Sequence, residues 1–70
     1  MTKIAHVQPA RHPAMVVYFD EKAAQNPYRV RLEEGGRYGT KRQIDRYADL
    51  ASAMYRLAEY SLANNETRRY

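Results

Sequence analysis

"GGRYGTKRQ", residues 35–43, lies near the middle of a 70-residue chain, and its reading decides the fold. Two readings compete. In the first, Gly35 and Gly36 let the chain leave a strand with positive φ, and Thr40 opens a helix. Thr40 and Gln43 then form a capping box, the hydroxyl accepting from the amide three residues on while the glutamine reaches back. In the second, Gly35–Gly36 is a tight hairpin turn and "RYGTKRQI" returns as a third strand. The alternation of that strand is poor, because a tight register turns Lys41 and Gln43 towards the core with Leu32 and Val30. The helix start is the favoured reading.

The residues downstream support it. From Lys41 to Ala63 there is neither glycine nor proline, and Ile44, Tyr47, Ala51, Met54 and Ala58 recur at helical spacing. Leu50, Leu57 and Leu62 widen the stripe, and Arg42, Asp45, Asp49, Ser52, Arg56 and Glu59 gather opposite. One long helix over about 41–63 is predicted. At ~100° per residue its apolar arc covers about half the circumference, more than one small sheet needs. The surplus predicts a contact surface at Tyr47, Leu50, Met54 and Leu57. Its simplest occupant is a second copy, giving a homodimer. Asn64 or Asn65 would end the helix in a left-handed cap, leaving 65–70 as a basic tail.

Upstream, "YRVRLEE" alternates strictly, Tyr28, Val30 and Leu32 on one face and Arg29, Arg31 and Glu33 on the other. This predicts a half-buried strand over 27–34. "AMVVYFDEK" joins β-branched and aromatic residues and predicts a partner strand over about 15–21. Residues 3–8 form a weaker strand candidate, and the prolines at 9 and 13 make 1–13 an extended or mobile arm. The expected fold is therefore α+β: a small antiparallel sheet of two to three strands under one C-terminal helix, in a single domain spanning 1–70.

Composition limits the functions. The chain has no cysteine, so disulfides and thiolate chemistry are excluded. A core this small is marginal without a metal or a partner chain. No stretch approaches the ~20 apolar residues of a membrane span, and "MTKIAHVQPARHP" lacks the apolar run of a signal peptide. A cytoplasmic protein without cofactors is expected. Ser52 and Ser61 fall within the helix, His6 and His12 have no third ligand at hand, and the adjacent acidic pairs alternate along strands. Neither an enzyme nor a metal protein is expected.

The basic balance points to a partner. Net charge is +4, and nine of the twelve basic residues are arginine, accompanied by seven tyrosines. Arginine grips phosphate in two places and stacks on rings, which suits a nucleic-acid or protein interface. The order Gly39-Thr40-Lys41 is wrong for a P-loop, and "GRYG" lacks the helical flanks of a KH-type clamp. A helix beginning near Thr40 would instead offer free amides to an anion, with Arg37, Lys41, Arg42 and Arg46 around it. Arg29 and Arg31 project from the preceding strand. These six cations are the expected DNA or RNA contacts.

The layout over roughly residues 14–63 resembles the arm-binding domains of tyrosine recombinases, in which a sheet rests on a helix and its exposed face enters a DNA groove. The resemblance implies that Arg29, Arg31 and Tyr18 lie near the DNA-facing side. The alternative function is a modulator or adaptor docking on a host or cognate protein through tyrosines and the helix face. Compact, cysteine-free phage- and plasmid-encoded modulators share that profile.

Overall fold

The computed structural model describes residues 1–64, and the expected basic tail at 65–70 lies outside them. The elements are β1 (Thr2–Val7), β2 (Ala14–Phe19), β3 (Tyr28–Glu34), a 3₁₀ turn at Gly36–Tyr38, β4 (Thr40–Tyr47) and α1 (Leu50–Ala63). The four strands form one antiparallel sheet in the order β1-β2-β3-β4. The α+β class is as expected, and the strands at 15–21 and 27–34 are present with slightly different ends. The strand count is corrected to four. Within the segment read as an arm, residues 2–7 form β1.

The larger correction concerns residues 41–49, which are not helix: residues 41–47 belong to β4 and 48–49 form the bend before α1. Gly35 sits in the left-handed region (φ 84°), and the chain then takes a 3₁₀ turn before β4 begins. The connection is therefore longer than a two-residue hairpin. It pairs Glu34 with Thr40, Glu33 with Lys41, Leu32 with Arg42 and Arg31 with Gln43. Compared with a tight Gly-Gly turn, this register differs by an odd number of residues, so every side chain changes face. Lys41 and Gln43 thus share the side of Glu33 and Arg31, and the objection to a strand disappears.

A bulge completes the adjustment. Between Val30 and Arg31 the register slips, so that Val30 faces Asp45 and one residue of β4, Ile44, is extra. A bulge sets two residues against one and resets the alternation beyond it. Ile44 and Tyr47 consequently both pack against the core, three positions apart.

The helix begins at Leu50 with Asp49 as its N-cap. The Ser52 amide donates to the Asp49 carboxylate at 3.0 Å, as does the Ser52 hydroxyl. The Thr40–Gln43 capping box is therefore not formed, because Thr40 opens a strand. At the other end Asn64 has φ −113°, so it is not the left-handed cap expected of it. Its amide and its side chain both donate to the Tyr60 carbonyl. Asn65 lies outside the described residues.

α1 covers one face of the sheet. Met15, Val17 and Val30 from β2 and β3 pack with Ala53 and Leu57 of the helix as the buried core. Ala5, Val7, Tyr28, Leu32, Ile44, Tyr47 and Tyr60 close around them. The Tyr60 hydroxyl donates to the Pro13 carbonyl at 2.7 Å, pinning the last turn of the helix beside the start of β2. No helix among the described residues is long and apolar enough to cross a membrane.

Candidate functional site

Among the described residues, the second face of the sheet carries no helix. Strand register assigns side chains to it, since paired residues point the same way and neighbours alternate. Val30 is in the core beneath α1, so Arg29 and Arg31 lie on the open side. Val16 and Tyr18 of β2 accompany them, with His6 and Lys3 of β1 and Gln43, Lys41 and Arg46 of β4. The face thus gathers five cations, Lys3, Arg29, Arg31, Lys41 and Arg46, around one strand carboxylate, Glu33.

The centre of this face is ordered by its own contacts. Tyr18 donates its hydroxyl to Glu33, and Arg31 lies over the Tyr18 ring with its guanidinium carbon 5.0 Å from the centroid. That hydrogen bond to a carboxylate, aided by burial, holds the Tyr18 phenol above its ordinary value. Arg31 also reaches the Met1 sulfur at 3.6 Å. Val16, paired with Arg31 and His6, is only 2% exposed although it faces away from the helix. Long cationic stems commonly cover apolar surface in this way while their heads stay in water.

Arg29 is anchored more firmly. Its Nη2 lies 2.9 Å from the Asp20 carboxylate and its Nη1 donates to Gln43 Oε1 at 3.1 Å. Its Nε is buried without a hydrogen-bond partner among the described residues. Arg29 stands directly opposite Arg46. Like charges placed so are destabilising in a sheet, and Asp20 offsets only one of them. At the rim Lys41 and Arg46 are exposed.

Of the six cations expected to contact nucleic acid, register brings Arg29, Arg31, Lys41 and Arg46 to one face. Arg42 does not join them. It pairs with Leu32 on the helix side and lines a cavity of about 260 Å³ with Pro13, Glu34 and Thr40. Arg37 lies in the turn at Gly36–Tyr38, outside both strands. None of these residues surrounds a helix N-terminus, since α1 starts at Leu50, so that part of the expectation is withdrawn.

Lys3, His6 and Gln43 complete the face, and the expected contacts do not include them. Lys3 was legible only through the strand candidate at 3–8. Tyr18 shares the face with Arg29 and Arg31. Among the residues expected at an oligomer surface, Leu57 is in the core and Tyr47 is half-buried against it. Leu50 and Met54 are each 40% exposed.

Tyr47 donates to the Asp45 carboxylate at 2.7 Å. This bond pushes the Tyr47 phenol up and holds Asp45 down. No group of three or more histidine or acidic side chains among the described residues is placed to hold a metal. The chain matches no family model, no curated protein and no solved structure, so the likeness in layout to arm-binding domains assigns no family.

Proposed function

We propose that this chain binds nucleic acid with the open face of its sheet, as an accessory protein without catalytic chemistry. The observation that carries the reading is the gathering of Lys3, Arg29, Arg31, Lys41 and Arg46 on the sheet face that no helix covers among the described residues. Polyanions release counterions when such a face neutralises their phosphates, and that supplies affinity without base contacts. Asp20 and Gln43 fix Arg29, and the Tyr18 ring orients Arg31, while Lys41 and Arg46 remain exposed at the rim.

A mobility-shift series across salt, run with duplex DNA, duplex RNA and single strands, tests this. Log affinity is expected to fall linearly with log salt. Replacing Lys41 and Arg46 together by glutamine should reduce the slope by roughly 2, about one for each phosphate no longer neutralised. Arg42→Gln is the control, because it removes a charge from the other face and should leave the slope nearly unchanged. Binding that ignores salt, or an Arg42 variant as impaired as the Lys41/Arg46 pair, would defeat the assignment. If no nucleic acid is shifted at low salt, a second reading takes precedence: an adaptor that docks on a protein through α1. The exposed Tyr55 and Leu62 favour that reading.

A further inference from the structure

The outward side of α1 is apolar and has no partner among the described residues. Ala53 and Leu57 face the sheet, which leaves Met54, Tyr55, Ala58 and Leu62 turned away from it. Tyr55 is 68% exposed and Leu62 76%. Between Leu50 and Ala63 only Arg56 and Glu59 are charged. Beside this stripe a groove of about 440 Å³ opens, lined by Tyr47, Ala51, Ser52, Tyr55, Arg56 and Glu59.

Charge selects the occupant. The chain carries +4 overall, and the open sheet face concentrates cations. Two copies meeting through that face repel each other. The sheet edges are also poor contacts: β1 bulges after Lys3, and β4 bulges at Ile44 between cationic stretches. Bulges and charges of this kind discourage edge-to-edge pairing. The helix side remains. Its groove holds one cation and one anion, Arg56 and Glu59, one helical turn apart. A two-fold contact sets residue i against j and j against i, so such a pair is self-complementary.

We propose that a second copy of this chain occupies the groove. The Tyr55 ring of each copy enters the groove of the other, and Arg56 of each faces Glu59 across the two-fold axis. Leu62, on the same side of the helix as Tyr55, is covered at the same time. The two basic sheet faces then point outwards on opposite sides of the dimer. The small core fits this arrangement, because six hydrophobic residues are buried among the described residues of one copy and small domains are commonly stabilised by association.

Sedimentation equilibrium of the full chain, free of nucleic acid, tests the proposal. The native chain is expected to shift from one to two copies as its concentration rises through roughly the micromolar range. Tyr55→Ser, at an exposed position, should weaken association by about tenfold or more. Arg56→Glu alone and Glu59→Arg alone should each give monomers, by setting like charges together. The double swap Arg56→Glu/Glu59→Arg should restore association to within about threefold of native. Far-UV circular dichroism of each variant reports its fold. Because Arg56 also lies near Asp45, Glu59→Arg and Tyr55→Ser decide the matter if Arg56→Glu alone fails to fold. A native chain that stays monomeric at about 100 µM overturns the proposal. So does association indifferent to Tyr55→Ser and Glu59→Arg, or a folded double swap that remains monomeric.

Discussion

Gly39 shows how narrowly a single atom can constrain this fold. A Cβ built on it would collide with the Glu34 carbonyl oxygen and lie 2.5 Å from the Gly35 Cα. Both obstacles are backbone, so the turn must open rather than a side chain step aside. Gly39→Ala is therefore expected to destabilise the protein by about 2–4 kcal/mol, read as a lower denaturant midpoint at unchanged slope. Gly36→Ala serves as reference. A Cβ there meets nothing within 4 Å, so only the left-handed backbone costs, about 1–2 kcal/mol. Equal losses at the two positions would contradict the crowding at Gly39. At this scale the sequence identified Gly35 and Gly36 as a strand exit with positive φ. It could not show the contact between Gly39 and the end of β3, because that contact depends on how the turn closes.

Among the elements, β4 and α1 explain what was legible and what was not. Strict alternation identified β3, and β-branched residues identified β2. β4 was masked by its own bulge, which places the core-packed Ile44 and Tyr47 three residues apart, a spacing that reads as helical. The stretch also joins α1 without glycine or proline, so two elements merged into one apparent periodicity. The available signal was Asp49, an N-cap residue immediately before an apolar run, which marks a helix start. A pair of substitutions separates the two readings. Asp49→Ala should cost about 1 kcal/mol in thermal or urea unfolding, because it removes the acceptor for the Ser52 amide. Thr40→Ala, at an exposed strand position, should change stability by less than about 0.5 kcal/mol. A larger loss at Thr40 than at Asp49 would refute the observed boundary. The candidate site was legible only in part for a related reason: residue type named the cations, but the turn's register decided that Lys41 and Arg46 join Arg29 and Arg31 while Arg42 does not.

At the scale of the whole molecule, three phenols among the described residues contribute to behaviour at high pH. Tyr18 is raised chiefly by its bond to Glu33, Tyr47 by its bond to Asp45, and Tyr60 by burial. A phenol raised on folding stays protonated in the folded chain after it would ionise in the unfolded one. Its contribution to stability is complete below the unfolded value of about 10 and is lost as pH rises through the folded value. Thermal stability should therefore decline above about pH 10, and phenolate absorbance should show these three rings ionising above the ordinary range. Tyr18→Phe should flatten part of that decline; an unchanged profile would remove Tyr18 from the account. Asp45 acts oppositely, being lowered, so its contribution is present above about pH 4 and fades as the solution is acidified. The sheet order β1-β2-β3-β4 has a kinetic meaning as well. Each strand pairs with its neighbour in sequence, so no strand must await a distant partner and each loop closes over few residues. Hairpins form in about 1–10 µs, and topologies dominated by near-neighbour pairing fold faster than those with long crossovers. The contacts of α1 are the exception: the bond from Tyr60 to Pro13 spans 47 residues, and Ala53 and Leu57 pack with residues of β1 and β2. Docking of α1 onto β1 and β2 therefore closes far longer loops than any strand pairing in the sheet and carries the larger closure entropy.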